Sequence, residues 1–380
     1  MGNRLKLDKK YYFLITALLI ILFFTHRYFN KDIIMVTLST EQQQQVDQLL
    51  KNTATRCLGV YLIDLPKQFS VFPTTEFYYD QIHKVTIKTQ RQYLPPFKQM
   101  IARREQELKN TQPIDPIDGN FLKAIHPLPN TDTDKIQGII FERMQSEGVP
   151  DVARVLEGYR WQDEVTLKIE MNAHNGSDSR YDQDRNTNPN IYNNNVPEKL
   201  AQMYKLFDHI QVRDDFTIPS EPGFCFTNGF MRNGVEEYKD ISFTYRYEGK
   251  EDFYISLQSS DFSEDLSLLE SPEEYDPDGE GYTVYKGTRE SNHLVMEEWI
   301  RKGDFFYNND YSWRNDEGYI FKLGINLFNA SYKKPQLWVQ MNYIIPKNDN
   351  VPTYSEEQLM SIWREITNSI RIRESSFANE

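Results

Sequence analysis

Histidine and cysteine are scarce, six and two among 380 residues. The histidines (26, 83, 126, 174, 209 and 293) never fall at the spacing that puts two imidazoles on one helical face, and two cysteines cannot complete a zinc tetrahedron. A Gly-x-Ser-x-Gly elbow is missing, as are a Gly-x-x-x-x-Gly-Lys phosphate loop and a dinucleotide fingerprint. These absences lower the expectation of hydrolase, nucleotide-dependent or metal chemistry, and no catalytic residue, cofactor or metal ligand is assigned. Positive charge is also short. The first 31 residues hold six Lys/Arg against one acid, and the remaining chain carries 37 basic and 55 acidic residues, a net of -18. Such a body is repelled by nucleic acid phosphates and by anionic headgroups, so a protein with a basic face is the better partner.

Long apolar runs are missing except for one, "YYFLITALLIILFF" from Tyr11 to Phe24, behind Arg4, Lys6, Lys9 and Lys10. As a helix it covers about 21 Å, and about 28 Å if counted through Phe29. No small-x-small cleavage pair follows, and no alanine occurs between Ala17 and Ala54. Residues 1–30 are therefore expected to be an uncleaved, single-pass inner-membrane helix with the amino end inside and the body in the periplasm. Residues 31–52, including "STEQQQQVDQLLKN" with a weak stripe at Val46, Leu49 and Leu50, read as a polar spacer.

The body alternates with period two. "KVTIKTQ" and "EVTLKIEM" place apolar side chains on one face, "DISFTYRY" and "DFYISLQ" flank "EGKE" as a hairpin, and "YIFKLGINLF" and "QLWVQMNYII" repeat the pattern. Helices are expected at "PPFKQMIARREQELKN", "PEKLAQMYKLFDHI" and "SEEQLMSIWREITNSI", the last opened by a Ser355–Gln358 capping box. The last two expose a repeat: Asn-Val-Pro, an amphipathic helix carrying an aromatic (Tyr204, Trp363), then Ile-x-Val/Ile-Arg. The expected fold is α+β, two related domains over 53–215 and 220–375, each an antiparallel sheet with packed helices, preceded by the transmembrane helix. The boundary falls in "DDFTIPSEPG".

Cys57 and Cys225 head equivalent strands. In an oxidising compartment they can form a disulfide where the two halves meet, while two separate buried thiols fit the same residues. A nucleophilic Cys225 is disfavoured, because "EPGFCFTNGF" supplies no base or cation to stabilise a thiolate. "NAHNGSDSRYDQDRNTNPNIYNNN" (172–195) has eight asparagines and reads as a long exposed insertion. "DFSEDLSLLESPEEYDPDGE" (261–280) carries nine acids and no base. A solvated face explains that run. Docking on a basic partner is the functional alternative, with Asp261, Phe262, Glu264, Asp265 and Leu266 as candidate contacts. "EYDPDG" (Glu274, Asp276, Asp278, Gly279) and "DQDRNTN" (Asp182, Asp184, Asn186, Asn188) imitate parts of a calcium loop but lack its closing glutamate or its glycine, and read as solvated loops.

"RCLGVYLIDLPKQF" and "PGFCFTNGF" resemble the two-domain immunity proteins paired with type VI secretion lipase effectors, over most of residues 53–375. The resemblance implies a non-enzymatic periplasmic protein that grips a phospholipase effector between two domains and restrains the cap or lid over its active site. The many tyrosines suit such an interface. An exported hydrolase with unrecognised catalytic groups, and an envelope structural or assembly protein, are the competing classes.

Overall fold

The computed structural model describes residues 37–71, 74–80, 85–129, 136–233, 239–262, 267–271, 279–309, 312–347 and 353–377. The expected transmembrane helix lies outside them. No helix among the described residues is long and apolar enough to cross a membrane.

The first half runs α1 (Thr40–Leu50), β1 (Thr53–Leu58), β2 (Tyr61–Pro66), β3 (Phe69–Val71), β4 (Thr74–Asp80), β5 (Val85–Arg91), α2 (Leu94–Asn110), β6 (Leu122–Pro127), β7 (Ile136–Met144), β8 (Ala153–Gln162) and β9 (Val165–His174). It closes with α3 (Asp182–Thr187), α4 (Pro189–Tyr192), α5 (Val196–His209) and β10 (Ile210–Val212). The second half runs β11 (Gly223–Phe226), β12 (Gly229–Arg232), β13 (Asp240–Tyr247), β14 (Lys250–Ser260), β15 (Gly279–Ser291), β16 (Leu294–Asn309), β17 (Ser312–Ile325), β18 (Gln336–Ile344), α6 (Glu356–Asn368) and β19 (Arg371–Ile372).

The strand order repeats. One sheet runs β15–β16–β17–β18–β14–β13–β4–β5–β9–β8–β7–β6, with β3 also on β13, and every pairing is antiparallel. Read outward from the central β13–β4 seam, the two halves give the same order. The period-two segments fill the inner strands: β9 buries Val165, Leu167, Ile169 and Met171. The β13–β14 hairpin turns at Glu248–Gly249, where Gly249 has φ +77°. A continuous apolar core spans both halves.

Each half lays its second-to-last element, an amphipathic helix, on its sheet. A Cβ at Gly158 of β8 would stand 2.6 Å from Met203 Sδ and 2.8 Å from Phe207 Cε2, so the missing side chain lets α5 approach the sheet. In the second half Trp363 of α6 packs on Phe321 and donates its indole N–H to Glu298 at 2.9 Å.

Two segments depart from their expected form. The polar spacer is in part a docked helix: α1 buries Val46 and Leu49, and Gln358 of α6 donates to Gln45 Oε1 at 2.7 Å and to the Gln42 carbonyl at 3.2 Å. Two apolar residues one turn apart suffice because side-chain amides supply the remaining contacts. The 172–195 insertion folds into α3, α4 and a short 3-10 turn at Ser179–Tyr181, and it buries Tyr181.

Candidate interaction surface

The halves exchange their closing strands. β10, which ends the first half, pairs with β12 of the second half's hairpin, and β19, which ends the second, pairs with β2 of the first half's hairpin. The two hairpins join at Gly59 and Cys225, whose backbones exchange two hydrogen bonds of 2.9 Å. Cys57 and Cys225 are bonded there, S–S 2.04 Å and Cα–Cα 5.7 Å, and both are 0 % exposed. Phe224 and Phe226 pack against Phe77 and Tyr79 of β4, so the aromatic residues flanking Cys225 form a core wall.

Buried charge completes this junction. Arg213 donates to the carbonyls of Gly229, Asp214, Thr217 and Cys57, each at 3.0 Å. Arg373 donates to Pro219, Glu221 and Gly223 carbonyls at 2.9, 2.8 and 2.5 Å. Burial pulls both guanidinium pKa values down, that of Arg373 to about 10 with help from the charge of Arg213. Arg56 lies 2.6 Å from Asp215, which also accepts from Tyr245 Oη at 3.0 Å. Burial pushes the Asp215 carboxyl up against the pull of Arg56 and Arg213.

A second charged cluster ties the insertion to the loop before β6. Asp151 accepts from Lys123 (3.2 Å), Arg154 (3.1 Å), Tyr181 Oη (2.9 Å) and Arg180. Burial alone would raise its pKa, but these donors lower it to about 2. Arg180 also bonds Asp118 Oδ1 at 2.9 Å and the Ile117 carbonyl at 3.1 Å. Above this cluster opens a cavity of about 460 Å³ lined by Ile114, Asp115, Ile117, Glu147, Arg180 and Asp184 among others. Farther along the sheet, Glu157 is 0 % exposed and accepts from Arg104, Arg143 and Tyr159. Glu298, equally sheltered, accepts from Arg289 and Trp363 and pairs with Arg364.

Of the residues singled out at 261–266, Asp261 and Phe262 are described, and neither is exposed. Asp261 is buried in an ion pair with Lys239, which contradicts its assignment as a surface contact. Burial raises its pKa and Lys239 opposes that shift. Phe262 is half-buried and its carbonyl accepts from Ser260 Oγ at 2.8 Å. Glu264, Asp265 and Leu266 lie outside the described residues, as do Glu274, Asp276 and Asp278. Of the same segment, Leu268 is buried against Trp299 and Leu327. Asp182 and Asp184 stand on α3, with Asp182 paired to Arg185. Among the described residues no group of three or more His, Cys, Asp or Glu is placed to hold a metal ion. The Ile114–Asp118 loop was missed by sequence reasoning. Its only signal was a pair of Pro-Ile-Asp repeats, "PIDPID".

Family models match both halves: the N-terminal domain of Tle cognate immunity protein 4 over residues 54–213, and the C-terminal domain of the same protein over 217–375. The chain belongs to this family. Solved structures agree in fold. A Tle4–Tli4 complex is similar at 18% identity and a TM-score of 0.62, over 87% of this chain and 99% of that one. The apo immunity protein TplEi of the type VI secretion system from Pseudomonas aeruginosa is similar at 18% identity and a TM-score of 0.61, over 86% and 98%. Among curated proteins none matches the chain. Membership makes this a non-enzymatic, type VI lipase immunity protein. The buried carboxylates Glu157 and Glu298 accordingly act as ion-pair hubs of an immunity-protein scaffold. The two family domains meet at 214–216, where Asp215 faces Arg56.

Proposed function

We propose that this immunity protein binds and inhibits its cognate type VI lipase effector in the periplasm, clasping the effector's cap or lid between its two halves. The observation that carries the proposal is the match of both halves to the Tle immunity family. The shared sheet and the exchanged strands support a clasp whose halves are held in a set relation before binding, so that little ordering cost falls on association. A lipase has to open its lid at a membrane to admit lipid, and a partner that holds the lid shut abolishes turnover without chemistry of its own. The basic flank and apolar run before residue 30 support a tether that concentrates the inhibitor at the bilayer the effector attacks.

The test is protection. Cells exporting the cognate lipase effector should survive when they carry this chain and lyse when they do not, and the purified pair should associate. Failure to associate at micromolar concentration overturns the proposal. Recovery of the full chain in the soluble periplasmic fraction, rather than with the inner membrane, would overturn the tether alone.

A further inference from the structure

We propose that the Pro113–Asp118 loop, with the 180–184 segment behind it, is a docking surface for a basic side chain flanked by apolar residues on the effector. This rests on the effector-binding function above and gives it a location.

Ile114 and Ile117 are 76% and 69% exposed, the two most exposed isoleucines among the described residues, and they stand on one short turn. Such exposure is usually tolerated only singly, and a paired apolar display rimmed by charge is characteristic of contact surfaces. The loop is not loose. Ile114 N–H donates to the Glu147 carbonyl at 2.9 Å, and Asp115 Oδ1 accepts from Ile117 N–H at 3.0 Å. Asp118 Oδ1 accepts from Asp151 N–H at 3.2 Å, and Arg180 holds the Ile117 carbonyl. The loop is thus fastened at both ends, and its two isoleucines can be covered by a partner with little ordering cost.

Charge selects the occupant. Arg180 is the cation lining the cavity, and Asp118 and Asp151 occupy it. Asp115, Glu147 and Asp184 line the same cavity without an ion pair among the described residues. The opening therefore presents three uncompensated carboxylates around two isoleucines, which suits a lysine or arginine carried on an apolar segment and repels an acidic or phosphorylated one. The loop lies in the β5–β6 connection, between α2 and β6.

The experiment measures the affinity of the full chain for the purified cognate lipase effector by calorimetry, using wild type, Ile114→Asp/Ile117→Asp and Glu147→Lys/Asp184→Lys, with melting temperatures recorded for each. The isoleucine pair should weaken binding about 30-fold or more, as expected for a buried apolar anchor. The charge pair should weaken it about 10-fold and flatten its dependence on salt. If the isoleucine variant fails to fold, the charge variant decides. Wild-type binding with both folded variants within about twofold of it would overturn this location and leave the function standing. No binding by wild type would overturn the function itself.

Discussion

Arg213 donates to the carbonyl of Cys57 at 3.0 Å, across 156 residues of sequence, while the strand it follows, β10, pairs with the hairpin of the other half. Arg373 mirrors it: the strand it follows, β19, lies on the first hairpin and its side chain bonds Gly223 of the second. Each arginine closes an Ile-x-Val/Ile-Arg segment, so the repeat in sequence is also a repeat in bonding. Replacing either with methionine keeps the aliphatic bulk but leaves several buried carbonyls without donors. Urea unfolding should show a loss of about 3 kcal/mol or more for Arg213→Met and for Arg373→Met. A loss under about 0.5 kcal/mol would mean that water reaches those carbonyls.

The Cys57–Cys225 bond closes a loop of 168 residues. Loop-closure entropy assigns such a cross-link up to about 5 kcal/mol. Strand exchange and the β13–β4 seam already hold the halves together, so Cys57→Ala/Cys225→Ala should lower stability by less than that bound while leaving the fold intact. Thiol titration of the oxidised, denatured chain should find no free cysteine until reductant is added. Free thiols before reduction would remove the cross-link from the account.

Gly158 sits where α5 meets β8, and Phe207 and Met203 fill the space a side chain would need. Gly158→Ala should cost about 1–3 kcal/mol in equilibrium unfolding. Because the clash is with Met203 Sδ first, Gly158→Ala combined with Met203→Ala should lose less than the sum of the single variants. Additive losses would place the clash elsewhere.

The inner strands, the helices α5 and α6 and the Ser355 capping box follow directly from period and cap chemistry, because apolar burial on one face decides each of them. Other features rest on partners far away in the chain. Asp261 looks exposed beside its acidic neighbours, but it is neutralised by Lys239, 22 residues earlier, and no local pattern announces that pair. The insertion looked unstructured because it contains almost nothing apolar, yet Arg180 and Tyr181 anchor it through Asp118 and Asp151. The exchanged strands β10 and β19 are three and two residues long, too short to show periodicity, although the Ile-x-Val/Ile-Arg repeat marked both. Ile114 and Ile117 carried no signal beyond turn chemistry, since exposure depends on what the rest of the fold leaves uncovered.

Acid should unfold the first half through Glu157. Burial would raise this carboxyl, but Arg104, Lys168, Tyr159 and Arg143 hold it at about 2, below an ordinary value of 4.5. A depressed folded pKa stabilises at all pH above the unfolded value and loses that contribution as pH falls toward the folded one. The loss should therefore run from about pH 4.5 down to about pH 2 and amount to about 3 kcal/mol. Asp151, held at about 2 by its own donors, adds to the same limb. Asp215 and Asp261 act in the opposite direction, because burial raises both, so protonating them relieves a cost. Glu157→Gln removes the depressed group while keeping its shape, leaving Arg104 and Arg143 facing a neutral amide. It should destabilise the protein at pH 7 and flatten the acid limb of a stability-against-pH profile. An unchanged limb in that variant would mean that other carboxylates govern acid unfolding.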